Sequence, residues 1–152
     1  MLIKKKKMKT NRSNCPITNA LDIVGDKWSL LIIRDIFMGK KTFTEFLKSP
    51  EKIATNILTN RLESLHAKGL LNVGKLQNNQ KTKIYYLTDA GIDMYPIIYE
   101  MMQWSKRNLK KKFGPKGEQW LKESEGLAAE KFISETTSTY RGTRKEILNK
   151  VK

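Results

Sequence analysis

Four short polar side chains, Thr55, Asn56, Thr59 and Asn60, recur at helical spacing. Such a face carries the donors and acceptors that match base edges or hold a phosphate. Arg61 lies beside it and is expected to meet phosphate, and Lys75, Lys81 and Lys83 flank the uncharged, turn-prone Gln77-Asn78-Asn79-Gln80. Lysines beside a hairpin tip suit phosphate, a sequence-blind attraction that salt weakens. Taken alone, an exposed polar helix face and a solvated turn are both ordinary.

Cys15 is the only cysteine and His66 the only histidine. Intramolecular disulfides and cysteine-based zinc sites are therefore excluded. Nearby cations or a helix start could favour the reactive thiolate at Cys15, which would make it a redox sensor. An intersubunit Cys15–Cys15 bridge or a cap by a small thiol would then be the open routes. The plainer alternative is a small residue at a subunit seam. No glycine-rich phosphate loop or carboxylate pair in an apolar setting is found, and Asp22, Asp26 and Asp35 look like cap and surface residues. No enzyme, metal or cofactor is expected.

The polar face needs a helix, and residues 54–68 supply one, with Ala54, Leu58, Leu62 and Leu65 as its buried stripe. A short helix over 43–48 precedes it, opened by the Thr42-x-x-Glu45 capping box and ended by Pro50. Two alternating apolar runs follow Gly69, over 71–76 and 84–87, with the polar segment 77–83 between them. Helix, turn, helix and hairpin make a winged helix-turn-helix, whose second helix can enter a major groove while the hairpin meets the backbone. Within that plan the polar face favours base readout.

The remaining residues hold this unit in place. Pro16 suits a first helical turn over 16–24, and Asp26 caps a helix over 27–38 that is apolar nearly all round and so central to the core. A long helix over 89–109, bent at Pro96, has an apolar face too wide for one small domain to cover. The expected cover is a second subunit, packed on Tyr95, Ile98, Tyr99 and Met102 and on Ile17 and Leu21 of the 16–24 helix. A ligand pocket lined by these side chains is the other reading. Beyond a linker near 110–117, helix is expected over 118–135, a break at the Thr/Ser run 136–139, and a short helix over 145–151. Three regions result: a flexible basic arm (1–13), a DNA-binding and dimerisation domain (14–109), and a C-terminal helical extension (110–152). The fold class is mainly α with a small β-hairpin, dimeric through terminal helices.

Bulk composition agrees. The 152 residues carry a formal charge of +15, concentrated at Lys4–Lys7, Lys9 and Arg12 and again at 106–112. Such an excess calls for a polyanion, most often nucleic acid. The longest apolar run is short and the N-terminus lacks the apolar stretch of a signal peptide, so no membrane is implied and the cytoplasm is expected.

The ordered motifs Cys15-Pro16, Gly25-Asp26-Lys27-Trp28 with Leu31 and Ile32, Gly39 before Phe43-x-x-Phe46, and Ile53-Ala54-x-Asn56-x-Leu58-x-x-Arg61-Leu62 carry a resemblance. Lys68-Gly69-Leu70, Tyr86-Leu87-Thr88, Gly91, Pro96 and Trp104 continue it. The chain resembles the HxlR-type winged helix-turn-helix transcriptional regulators of the MarR-like group over about ninety residues. The resemblance implies a homodimeric bacterial transcription factor on double-stranded DNA, with the reading helix in the major groove and terminal helices forming the dimer. It also implies a cysteine at position 15 that some members use to sense oxidants or electrophiles; a redox or small-molecule effector is the corresponding partner. Two departures stand out: the proline pair common in family wings is missing from 79–83, and the tail beyond Trp104 is long.

The function expected is a sequence-specific regulator on a pseudo-palindromic operator. Its rival is a non-specific nucleic-acid-binding protein that uses its basic termini.

Overall fold

The computed structural model describes residues 12–152, so most of the expected basic arm lies outside the described residues. Helix α1 (Pro16–Val24) begins with its proline in the first turn, where a missing N–H costs nothing. Gly25 closes it against the Leu21 carbonyl, which a Cβ would approach to 2.3 Å. Asp26 then accepts from the backbone N–H groups of Trp28 (2.8 Å) and Ser29 (2.9 Å). That cap holds a turn, so helix α2 (Ser29–Phe37) starts two residues later than expected. Ile32, Ile33 and Ile36 put α2 at the centre of the core.

Helix α3 (Phe43–Leu47) has both halves of the Thr42/Glu45 capping box. Helix α4 (Thr55–Ala67) buries Leu58, Leu62 and Leu65. Ala54, expected in that stripe, is exposed: it is the extended N-cap residue, so its side chain precedes the helical register. Gly69 takes φ +77, a left-handed turn that suits glycine, and delivers the chain to strand β1 (Leu71–Leu76).

Strand β2 (Asn79–Leu87) pairs antiparallel with β1, from Leu71 opposite Leu87 to Lys75 opposite Lys83. It is longer than its apolar run, and only Gln77 and Asn78 form the turn. Residues 80–82 bulge between the paired positions Lys83 and Asn79.

Two helices replace the single bent one. After α5 (Asp89–Ile92) the chain turns, and α6 (Tyr95–Asn108) begins with Pro96 in its first turn. Pro96 therefore starts a helix instead of bending one, because only there is its lost donor harmless. Gly91 lets this corner pass beneath Leu70, whose carbonyl would lie 2.2 Å from a Cβ.

Most of the tail is helix. Helix α7 (Pro115–Ser124) and helix α8 (Ala129–Leu148) are separated by Gly126 at φ +74. The Thr/Ser run 136–139 does not break α8. The Thr137 and Thr139 hydroxyls donate back to the Ile133 and Glu135 carbonyls (2.9 Å each), which satisfies them inside the helix. The tail is also tied to the main body. Tyr140 belongs to the main core, its hydroxyl accepts the Leu87 N–H (2.9 Å), and Arg144 pairs with Asp89 (2.7 Å).

Candidate nucleic-acid interface

Each reading residue of α4 is placed by that helix's own buried stripe. With Leu58, Leu62 and Leu65 fixed inward, Thr55, Asn56, Thr59 and Asn60 are left exposed on the other side. Thr59 donates to the Thr55 carbonyl (2.9 Å), and the Asn60 side-chain oxygen accepts from Arg61 (2.5 Å). Asn56 and Thr55 have no side-chain donation to the protein among the described contacts, so their polar groups face solvent.

Arg61, expected to meet phosphate, also has a partner within the chain. It is half-buried and reaches 3.2 Å from the Asp26 carboxylate, tying α4 to the capped turn before α2. Burial raises the pKa of Asp26, but donation from Ser29 and Trp28, aided by the Arg61 charge, lowers it overall. Arg61 is thus already engaged in positioning α4, which accounts for its place beside the buried stripe.

A polar network that the sequence did not announce sets the turn between α3 and α4. Asp35, expected on the surface, is buried and accepts from Arg34 (2.7 Å), Lys40 (3.2 Å) and the Ser49 hydroxyl. Arg34 also forks onto Glu51 at 2.7 and 3.0 Å, and this contact holds the Glu51 carboxyl below its ordinary range. Two groups on α2 therefore clamp the turn residues Ser49 and Glu51, beside Lys52 in its left-handed conformation (φ 54). The available signal was an Arg-Asp pair inside a helix apolar all round, where an ion must find partners.

Lys75, Lys81 and Lys83 are exposed on the hairpin. The hairpin base is pinned by Tyr85, whose N–H donates to the Lys41 carbonyl (2.8 Å) and whose ring meets Phe46 edge-on, centroids 6.1 Å apart. The wing and α3 are thus parts of one packed body.

Cys15 stands exposed at the N-cap of α1. The backbone N–H groups of Thr18 and Ile17, free donors of the helix start, lower its thiol pKa. The expected subunit-facing residues divide into two sets. Ile17 and Leu21 are exposed, Ile17 to 70%. Tyr95, Ile98 and Tyr99 are instead buried within the chain, and Met102 packs against its core. The tail supplies that cover: Tyr99, Trp120 and Phe132 form an aromatic cluster, and the Trp120 indole donates to the Tyr95 hydroxyl (3.0 Å). No local pattern in the sequence assigns α7 and α8 to this face, and the chain covers it itself where a second subunit is expected. Another face of α6, with Ile97, Met101 and Trp104, is the exposed one.

A short clamped helix, a turn, a helix with a free polar face and a hairpin together define a winged helix-turn-helix protein. The sequence model of the HxlR-like helix-turn-helix family matches residues 23–113, more than half of the chain, and the chain belongs to that family. It is 31% identical over 104 residues to the HTH-type transcriptional regulator YybR of Bacillus subtilis, covering 68% of this chain and 83% of YybR. Among solved structures, PA1607 superposes with a TM-score of 0.61 at 35% identity, covering 69% of this chain and 70% of PA1607. The redox regulator HypR in its reduced form gives 0.57 at 30% identity, covering 63% of this chain and 95% of HypR. Reduced YodB from B. subtilis gives 0.54 at 25% identity, covering 64% of this chain and 97% of YodB. The chain is a transcriptional regulator of the helix-turn-helix type and not an enzyme. Among the described residues no helix is long and apolar enough to cross a membrane.

Proposed function

We propose that this regulator binds a specific double-stranded DNA operator as a homodimer in the cytoplasm. The observation that carries the reading is the polar face of α4, where Thr55, Asn56, Thr59 and Asn60 stand exposed on a helix rigidly held from behind. Asn is suited to bidentate bonding with adenine, and short hydroxyls to either base edge or phosphate. Lys75, Lys81 and Lys83 add phosphate contact, and Arg61 supports the helix from its pair with Asp26. Two such helices in successive major grooves would stand about 34–36 Å apart on a pseudo-palindromic site. The exposed apolar residues of α1 and of α6 (Ile17, Leu21, Ile97, Met101 and Trp104) support a second copy as the partner. A gel-shift titration on the chain's own promoter region tests this; affinity no better than for scrambled duplex at physiological salt would sink it.

The reading extends to an oxidant response at Cys15. Its support is the exposed thiol of lowered pKa at the head of α1, together with the likeness to HypR, described as a redox regulator, and to YodB, known in quinone-bound and diamide-treated forms. Diamide takes two electrons and two protons from two thiols, giving a Cys15–Cys15 bridge between subunits or a mixed disulfide with a small thiol. Diamide should change the operator affinity of the unaltered chain and leave Cys15→Ser unaffected; equal responses would retire the idea.

A further inference from the structure

We propose that the last residues of the chain, 150–152, act as a third strand of the wing and bring Lys150 and Lys152 to DNA phosphate beside Lys75 and Lys83. The inference rests on the DNA-binding reading above but concerns a segment outside the family match, which ends at residue 113.

The tail reaches the wing through its own backbone. After α8, the Gln77 N–H donates to the Lys150 carbonyl (2.9 Å) and the Lys152 N–H donates to the Lys75 carbonyl (3.0 Å). Leu76 and Val151 are antiparallel partners. The free edge of β1 is therefore paired near the tip of the hairpin, where a two-stranded ribbon is least stable. Gly74 makes the approach possible: a Cβ there would lie 3.1 Å from the Val151 Cβ, tighter than ordinary packing. Ile147, buried one turn earlier, anchors the end of α8 that delivers the strand.

Strand geometry decides where the charges go. Side chains alternate along a strand, and directly opposed residues share a face. Lys75 opposes Lys83, and Leu76 opposes Val151. Lys75, Lys83, Lys150 and Lys152 thus occupy one face, with Gly74, Leu76 and Val151 on the other. Tyr85, two residues from Lys83, shares the lysine face and packs on Phe46 of α3, so that face is turned toward the helix-turn-helix. All four lysines are exposed, and none is within ion-pair distance of a carboxylate among the described residues. Like charges set directly opposite destabilise a sheet. Four gathered with no side-chain carboxylate in ion-pair range fit a surface that a polyanion completes.

The test is the salt dependence of duplex binding, since each phosphate contact contributes about 0.9 to the slope of log K against log salt. Lys150→Gln with Lys152→Gln keeps the backbone pairing and should lower the slope by about 1.8, two contacts' worth. Gly74→Val keeps every lysine but displaces Val151; it should lower the slope similarly and speed hydrogen exchange at the Gln77 amide. Urea melts of both variants check that the domain is folded. An unchanged slope in the double lysine variant overturns the inference, as does tighter binding, which would make the tail a cover over the wing. If the unaltered chain binds no duplex, the DNA-binding reading itself fails; if it binds and the variant slope is unchanged, only this inference falls.

Discussion

Helix α6 has two apolar faces, and they meet different fates. On one, Tyr95 and Tyr99 are 4% and 5% exposed, sealed by α2, α7 and α8 of the same chain. On the other, Ile97, Met101 and Trp104 follow at spacings of four and three, and Trp104 remains 54% exposed. Nothing in side-chain type separates the two faces; each is aromatic and aliphatic. What separates them is where the extra forty residues of the tail fold back. Helix α4 extends the contrast: its apolar side is sealed and its bare side is polar, with hydrogen-bonding groups that suit base edges where α6 offers hydrophobes.

The largest expected effect lies on the sealed face. Tyr99→Ala should destabilise the fold by about 3 kcal/mol or more, since it empties an aromatic site between Trp120 and Phe132. A urea midpoint that hardly moves would mean that the tail does not cover this face in solution. On α4, Asn56→Ala should cost about 1–3 kcal/mol of operator affinity, roughly the worth of one good bidentate base contact, and relax specificity at one base pair. Equal loss on operator and scrambled duplex would make Asn56 a phosphate contact. On the bare face of α6, Met101→Lys should leave the monomer's stability within about 0.5 kcal/mol, as exposed substitutions do. If the proposed dimer forms through this face, light scattering should report half the mass of the unaltered chain; an unchanged mass would rule this face out as the subunit contact.

The smallest effect concerns the clamp behind α4. Arg34 lowers the pKa of Glu51, so the pair's contribution is complete above the ordinary value of 4.5 and is lost as pH falls through the lowered folded value. Glu51→Gln should therefore lower stability modestly at neutral pH, the most that a largely solvent-facing pair contributes, and flatten the acid side of the stability curve by that same amount. A curve parallel to that of the unaltered chain would show that the clamp does not depend on this ion pair.

Local chemistry was readable wherever a signal and its consequence lie within a few residues. The capping box at Thr42, the proline start of α1 and the leucine stripe of α4 are all of this kind. Pro96 shows the limit: the same residue bends a helix or opens one, depending on whether the preceding turn is helical, and here α5 has already ended. Asp35 shows another, since only the packing of α2 against the Ser49 turn reveals that its charge is buried and paired. The threonines of α8 resemble breakers in sequence because their hydroxyls compete for the backbone, yet in place they bond back within the helix.

The sequence by itself determined the order helix, turn, helix, hairpin and the polar face of α4, because period and capping are encoded at short range. Tertiary structure alone decided which face of α6 is free, that Arg61 is engaged with Asp26, and that Val151 lies on Gly74 beside the wing. Those outcomes depend on residues far apart in the chain competing to bury the same apolar surface or satisfy the same charge, and no local pattern ranks the competitors.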